Sequence, residues 1–318
     1  MTSPGEDPRL SSLHLQGHQS AIQLFTEAKR SGRMPHAWLL TGPPGIGKAT
    51  LAFHLARMVL RGESAESSAG RRISAATHAD LLVISRSYDE KRQRYRGEIV
   101  MDEVRPVNDF LHRTAAEGGW RVVIVDGAEW MNRNAANALL KILEEPPPSA
   151  LLLLTSSSPG RLLPTIRSRC QRIDLKPLSS SELAAVIARE APGTAPAELE
   201  RALSAAQGSP GRVFDLLADE GGQMAGLVQQ ALNGVSVSDA YIVAETVLKK
   251  ENGFNLFFSL LSNALQEQAR SSARQGLTKS VFFAKAWENV MRLQNETDHF
   301  NLDKQEALLE AMMIAGKV

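Results

Sequence analysis

Ala37-Trp38-Leu39-Leu40-Thr41-Gly42-Pro43-Pro44-Gly45-Ile46-Gly47-Lys48-Ala49-Thr50 is the stretch whose reading decides the fold. A short apolar run leads into a G-x-x-x-x-G-K spacing, and a helical stretch, Lys48–Leu60, follows at once. Strand, glycine loop and helix in that order form the setting in which this spacing binds phosphate. Gly42, Gly45 and Gly47 let backbone N–H groups curl round phosphate oxygens, and the helix N-terminus adds partial positive charge. Lys48 then neutralises the β- and γ-phosphates. The alternative is a strand–turn–helix with coincidental glycines, and a second motif downstream weighs against it.

Working outward, Leu81–Ser85, Val122–Asp126 and Leu151–Thr155 are further short runs, uniformly apolar or β-rich. Strands buried on both faces of a parallel sheet read in this way. Helical stretches alternate with them, over Val104–Thr114 and Asn134–Glu145, and Pro146-Pro147-Pro148 stops the latter. The alternation predicts a doubly wound α/β domain over residues 1–176. Residues 177–218 predict a small domain of two or three short helices, broken by Pro192, Pro196 and Gly208-Ser209-Pro210-Gly211. No proline follows Pro210, and Phe254, Phe257, Phe258, Leu261 and Leu265 recur at helical spacing. Residues 219–318 therefore predict an all-helical domain, its last helix capped by Asp303 or Asn301. Gly62–Ala76, rich in Ser, Ala and Gly, reads as a flexible insertion.

Composition excludes several classes. The 318 residues carry 36 Lys and Arg against 35 Asp and Glu, a net charge of +1, which fits neither a strongly basic nucleic-acid sleeve nor an acidic tail. A single cysteine excludes an intrachain disulfide framework and any multi-cysteine metal site. Purely apolar runs such as Ala150–Leu154 are far shorter than the ~20 residues of a membrane span. Met1–Arg9 has no apolar core of a secretory signal, so a soluble protein of a reducing, cytoplasmic compartment is expected.

Two positions of the phosphate site are wrong for catalysis. Ala49 stands where a working loop has the Ser or Thr that holds Mg²⁺. Thr50 lies one residue further, about 100° round the helix, where it suits the α-phosphate. Val122-Val123-Ile124-Val125-Asp126 is a buried strand ending in a carboxylate, the Walker B arrangement that orients a metal and its waters. The glutamate that commonly follows is replaced by Gly127, and Glu129 is expected as a surface or helix-start carboxylate rather than a displaced base.

Three further segments carry a resemblance. They are His36–Gly42 leading into the loop, Asn134-Ala135-Ala136-Asn137-Ala138-Leu139-Leu140-Lys141 running on to Leu143-Glu144-Glu145-Pro146-Pro147, and Leu162-Leu163-Pro164-Thr165-Ile166-Arg167-Ser168-Arg169-Cys170. In this order, over roughly residues 17–212, the chain resembles the AAA+ clamp-loader subunits of bacterial DNA polymerase III, and most of all their delta-prime branch. The resemblance implies an AAA+ P-loop domain, a helical lid and a C-terminal collar that oligomerises. It implies motor subunits of the tau/gamma type, a delta subunit, a sliding clamp and primer–template DNA as partners, with ATP or ADP as the nucleotide. Arg169 matches the arginine that this family extends into a neighbour's ATP site; a surface ion pair is the other reading. Thr155 and Ser157 fall where the family senses γ-phosphate, or are ordinary strand-end hydroxyls. Arg212 falls near the lid arginine, or is a solvated helix-start residue. Cys170 reads as a small buried hydrophobe. The zinc module of many relatives is absent: Gly62–Thr77 has no cysteine, and the histidines lack ligand spacing.

Lys91-Arg92-Gln93-Arg94-Tyr95-Arg96 is the one dense basic stretch, either a solvated loop or a contact for single-stranded nucleic acid. The reading as a whole is a non-hydrolysing stator that donates Arg169 to a neighbouring ATPase. Its rivals are an active AAA+ motor or DNA-repair ATPase, and a P-loop nucleotide kinase; the kinase leaves the Ser-Arg-Cys segment unexplained.

Overall fold

The computed structural model describes residues 15–64, 66–89, 94–117, 119–219, 222–250, 253–273, 277–300 and 302–316. The packed chain divides into two compact units. One comprises residues up to Pro192 together with Gly208–Gly211, and the other comprises Gly193–Gln207 with Arg212–Val318.

In the first unit, helix α1 (Gln19–Arg30) precedes β1 (Ala37–Thr41), and the glycine loop joins β1 to α2 (Lys48–Val59). Then come α3 (Ser68–Ser74), β2 (Leu81–Ile84), a hairpin of β3 (Tyr88–Asp89) and β4 (Arg94–Tyr95), α4 (Met101–Val104), α5 (Pro106–His112) and β5 (Arg121–Val125). The chain continues through α6 (Arg133–Glu144), β6 (Ala150–Ser156), α7 (Pro164–Arg167), β7 (Gln171–Asp174) and α8 (Ser180–Glu190). Five strands form one sheet in the order β2-β5-β6-β1-β7, and every pair is parallel.

The three central strands are buried at every residue, and alternate side chains go to opposite faces. Trp38, Leu40, Val122, Ile124, Leu151 and Leu153 meet the apolar side of α2, including Leu51, Leu55 and Ala56. Ala37, Leu39, Val123, Val125, Leu152 and Leu154 meet Val107, Leu111, Leu139 and Ile142 of α5 and α6. A sheet covered on both faces needs runs of this kind, at about 1.5–3 kcal/mol for each large side chain taken from water.

β7 escapes the apolar pattern. It is an edge strand with only Ile173 buried, so its Gln-Arg-Ile-Asp sequence resembles a loop until β1 is there to pair with it. The single helix expected over Val104–Thr114 is two. Pro106 lacks an N–H and opens α5 as its first residue, and Met101–Val104 forms a turn of its own.

Gly62–Ala76 is a correction. In place of a flexible insertion, Ser68–Ser74 is helical, with Ser67 accepting from the Gly70 N–H as its cap. The cause is Arg57 on α2, 1% exposed, which donates to the Gly62 and Gly70 carbonyls and to Ser74 Oγ.

The second unit is helical: α9 (Pro196–Ala205), α10 (Pro210–Leu217, from Arg212 onward), α11 (Gln223–Asn233), α12 (Val237–Lys249), α13 (Gly253–Ala273), α14 (Leu277–Phe300) and α15 (Lys304–Ala315). Phe254, Phe257, Phe258, Leu261 and Leu265 of α13 lie in its core with Val290, Leu308 and Met312. Asp303 caps α15 by accepting from the Gln305 and Glu306 N–H groups; Asn301 lies outside the described residues.

Candidate functional site

The phosphate loop connects the C-terminal end of β1 to the N-terminus of α2, and its shape depends on glycine. Gly47 caps α2 at φ 96°, and Gly45 has φ 75°, both in the left-handed region. A Cβ on Gly42 would lie 2.6 Å from the Leu175 carbonyl oxygen. Two contacts that sequence reasoning missed hold the loop from outside. His18 Nε2 is 2.9 Å from the Ile46 carbonyl oxygen. The Gly208–Gly211 segment closes over it, with the Gly211 N–H donating to the Gly45 carbonyl at 2.9 Å and Ser209 Oγ to that of Pro44 at 3.2 Å.

Lys48 is buried and points back into its own loop. Its ammonium donates to the carbonyls of Gly42 at 2.9 Å and Pro43 at 2.7 Å, and to Ser157 Oγ at 2.8 Å. A lysine has three N–H groups, so all are engaged. Burial lowers its pKa to about 8, while Glu129 and then Asp126 act in the opposite direction. Thr50 lies half-buried in the first turn of α2.

Parallel register brings the next groups together. Val125 is opposite Leu154 and Thr41 opposite Ser156, so β1, β5 and β6 end side by side. The two strand-end hydroxyls then separate in role. Thr155 Oγ1 donates to Asp126 Oδ1 at 2.7 Å and accepts the Gly127 N–H at 2.9 Å. Ser157, two residues on, is the one that meets Lys48.

Gly127 has φ 77°, and a Cβ there would lie 2.7 Å from Trp130 Cδ1. The backbone at the usual glutamate position therefore favours glycine twice over, by conformation and by space. Glu129, expected as a surface or helix-start carboxylate, does stand at the start of a short helical turn but is only 9% exposed. It sits on a short 3-10 turn, Ala128–Trp130, and its Oε1 accepts the Ser157 N–H at 2.8 Å. Only a tertiary contact across β5 and β6 reveals it.

Arg169 follows α7, is partly exposed, and donates to the Thr165 carbonyl at 3.1 Å and to Glu144 Oε1 at 2.8 Å. Burial pushes the thiol of its neighbour Cys170 up to about 12, so it is no nucleophile at neutral pH. Arg212 belongs to the second unit, where Nη1 donates to Gln207 Oε1 at 3.4 Å. Burial lowers its pKa and Asp215 raises it.

Of the basic stretch, residues 91–93 lie outside the described residues. At the base of the hairpin Tyr88 and Tyr95 are exposed, their rings edge to face at 5.3 Å. The Arg86 guanidinium lies 6.0 Å from the Tyr95 ring centre and 4.1 Å from that of Trp130.

Comparison with known proteins places these features. The chain is 41% identical over 194 residues to the DNA polymerase III subunit delta' of Pseudomonas aeruginosa, a match covering 59% of this chain and 57% of that protein. It is 34% identical over 209 residues to the Escherichia coli K12 subunit delta', covering 64% and 60% respectively. These matches span less than two thirds of either relative. A solved structure of a DNA polymerase III gamma-subunit-related protein from Thermotoga maritima aligns at a TM-score of 0.48 and 19% identity, over 92% of this chain and 98% of that one. The family model described as DNA polymerase III, delta subunit, matches residues 17–179, and the chain belongs to that family, in which its relatives are delta' subunits.

Proposed function

We propose that this chain is the delta-prime-like stator of a clamp loader of the bacterial replicative DNA polymerase III holoenzyme, binding nucleotide without hydrolysing it. One observation carries the reading. The phosphate cradle of Gly42, Gly45, Gly47 and Lys48 is whole, while both catalytic positions are vacant at Ala49 and Gly127. No hydroxyl follows Lys48 to hold Mg²⁺, and the backbone at Gly127 is built for glycine. Of the rivals, an active AAA+ motor needs both positions filled.

The loop residues, Thr50 and Arg212 would hold ADP or ATP. A diphosphate would draw on the Lys48 N–H now given to Ser157, and Asp126 would be left without a firmly placed magnesium. Arg169 would serve a neighbour: its guanidinium is partly exposed and, among the described residues, held by one carboxylate and one carbonyl, so turning outward requires little. The chain would work as an α/β domain over 1–176, a lid over 177–218 and a collar over 219–318. Its partners would be tau/gamma-type motor subunits and a delta subunit. The sliding clamp and primer–template DNA would be met through the assembly in a cytoplasmic replisome, as an accessory to a DNA-directed DNA polymerase.

The test is reconstitution with motor and delta subunits. Arg169→Ala should lower the DNA- and clamp-stimulated ATPase of the complex by about 10³-fold at the site it serves, while the isolated chain shows no turnover with or without the substitution. ATPase activity of the purified chain that disappears in Lys48→Ala would overturn the reading.

A further inference from the structure

The stator reading leaves one carboxylate of the phosphate site without a task. Glu129 is 9% exposed; its Oε1 accepts the Ser157 N–H, and among the described residues its Oε2 is buried with no hydrogen-bond partner. A buried ionised oxygen without a partner is costly, and apolar packing alone does not repay it. The same Ser157 receives at Oγ the third N–H of Lys48. One serine thus stands between the ammonium and the carboxylate.

The lysine of a glycine-rich phosphate loop reaches the β- and γ-phosphates. The direction of its third N–H therefore marks the outer end of a bound phosphate chain. Here that N–H is directed at Ser157, with Glu129 hydrogen-bonded to the backbone of the same residue. In a metal-competent loop Mg²⁺ would stand beside the outer phosphates and cancel their charge. Ala49 supplies no ligand for it. ATP carries one negative charge more than ADP, and that charge would approach a fixed carboxylate with Lys48 beside it but no magnesium to add to the lysine's charge. In a poorly solvated site such repulsion is only weakly screened.

We infer that this loop takes a nucleoside diphosphate in preference to a triphosphate, and that Glu129 is the residue that sets the preference. The electrostatics agree: of the two carboxylates acting on Lys48, Glu129 has the larger influence. The preference rests on Gly42–Lys48 being a phosphate cradle and is independent of Arg169.

Labelled ADP and ATP titrated into the full chain, with and without Mg²⁺, test it on three proteins: the native chain, Glu129→Gln and Lys48→Ala. Glutamine keeps an oxygen for the Ser157 N–H and removes only the charge. The native chain should bind ADP about tenfold or more tighter than ATP. Glu129→Gln should bring the two within about twofold, chiefly by tightening ATP, and Lys48→Ala should bind neither. Equal or tighter binding of ATP by the native chain would overturn the inference, whatever the fate of the variants. So would an unchanged ratio in a folded Glu129→Gln, or no ADP binding at all. A changed ADP-to-ATP ratio leaves the stator reading untouched; absence of all nucleotide binding would remove its nucleotide-binding part, while the donation of Arg169 is tested separately in the reconstituted complex.

Discussion

Arg169 Nη2 lies 2.8 Å from Oε1 of Glu144, so the guanidinium proposed to serve a neighbouring subunit rests on a carboxylate of its own chain. Both side chains are partly exposed, at 35% and 50%. Exposed pairs of this kind contribute about 0–1 kcal/mol. Glu144→Gln should therefore leave the melting transition within about 1 kcal/mol of native. The stimulated ATPase of the complex should stay native or rise a few-fold, because the arginine is released. A loss as deep as that of Arg169→Ala would give Glu144 a task of its own at the interface.

Lys48 gives the site a pH dependence whose sign follows from burial. Its pKa is lowered from 10.5 to about 8, so the empty loop loses its positive charge above pH 8, where a free lysine would keep it. A bound phosphate stabilises the ammonium, so binding takes up a proton above that point. ADP affinity should be flat from about pH 7 to 8 and then fall up to tenfold per unit toward pH 9.5. Lys48→Arg, which stays charged, should abolish the fall, as calorimetric titration across that range would show. For folding the sign is the reverse. The unfolded chain holds this proton up to pH 10.5, so the penalty of burying the charge is complete below pH 8 and is relieved between about 8 and 10.5.

The two strand-end hydroxyls should separate experimentally. Thr155→Val removes the bridge between Asp126 Oδ1 and the Gly127 N–H, and should cost about 1–3 kcal/mol in urea unfolding. Ser157→Ala touches the lysine instead, and should shift nucleotide affinity with little change in stability. The opposite pattern would mean that Thr155 is the phosphate-facing group.

Refilling the vacant positions should not create a motor. In Ala49→Ser combined with Gly127→Glu, the glutamate must adopt φ 77° and displace Trp130, whose Cδ1 would be 2.7 Å from the new Cβ. Phosphate-release assays on the double variant should stay at background, with stability lowered by about 1–3 kcal/mol. Sustained turnover would show that the backbone relaxes.

In the helical unit, Asp219 is 5% exposed and binds two elements at once. Its Oδ1 accepts from Lys250 Nζ at 2.6 Å and its Oδ2 from the Met224 N–H, an otherwise orphaned donor at the start of α11. Asp219→Ala should cost about 3 kcal/mol in chemical denaturation, more than Lys250→Ala, whose loss leaves the helix-end contact intact.

Much of this was legible from the residues alone, and for a physical reason. Strands covered on both faces need continuous apolar runs, so β1, β5 and β6 could be read within a residue or two. Gly42, Gly45, Gly47 and Lys48 carry their chemistry in local spacing, and Ala49 and Gly127 announce the missing catalysis by position. What the sequence withheld depends on which strand lies beside which. β7 is polar in sequence and becomes a strand only by pairing with β1. Arg57 orders Ser68–Ser74 from a different helix. The division of labour between Thr155 and Ser157, and the burial of Glu129 behind the loop, follow from β5, β6 and β1 ending side by side. Local spacing determined that this chain can cradle phosphate; the parallel register decided which carboxylate would stand beside it.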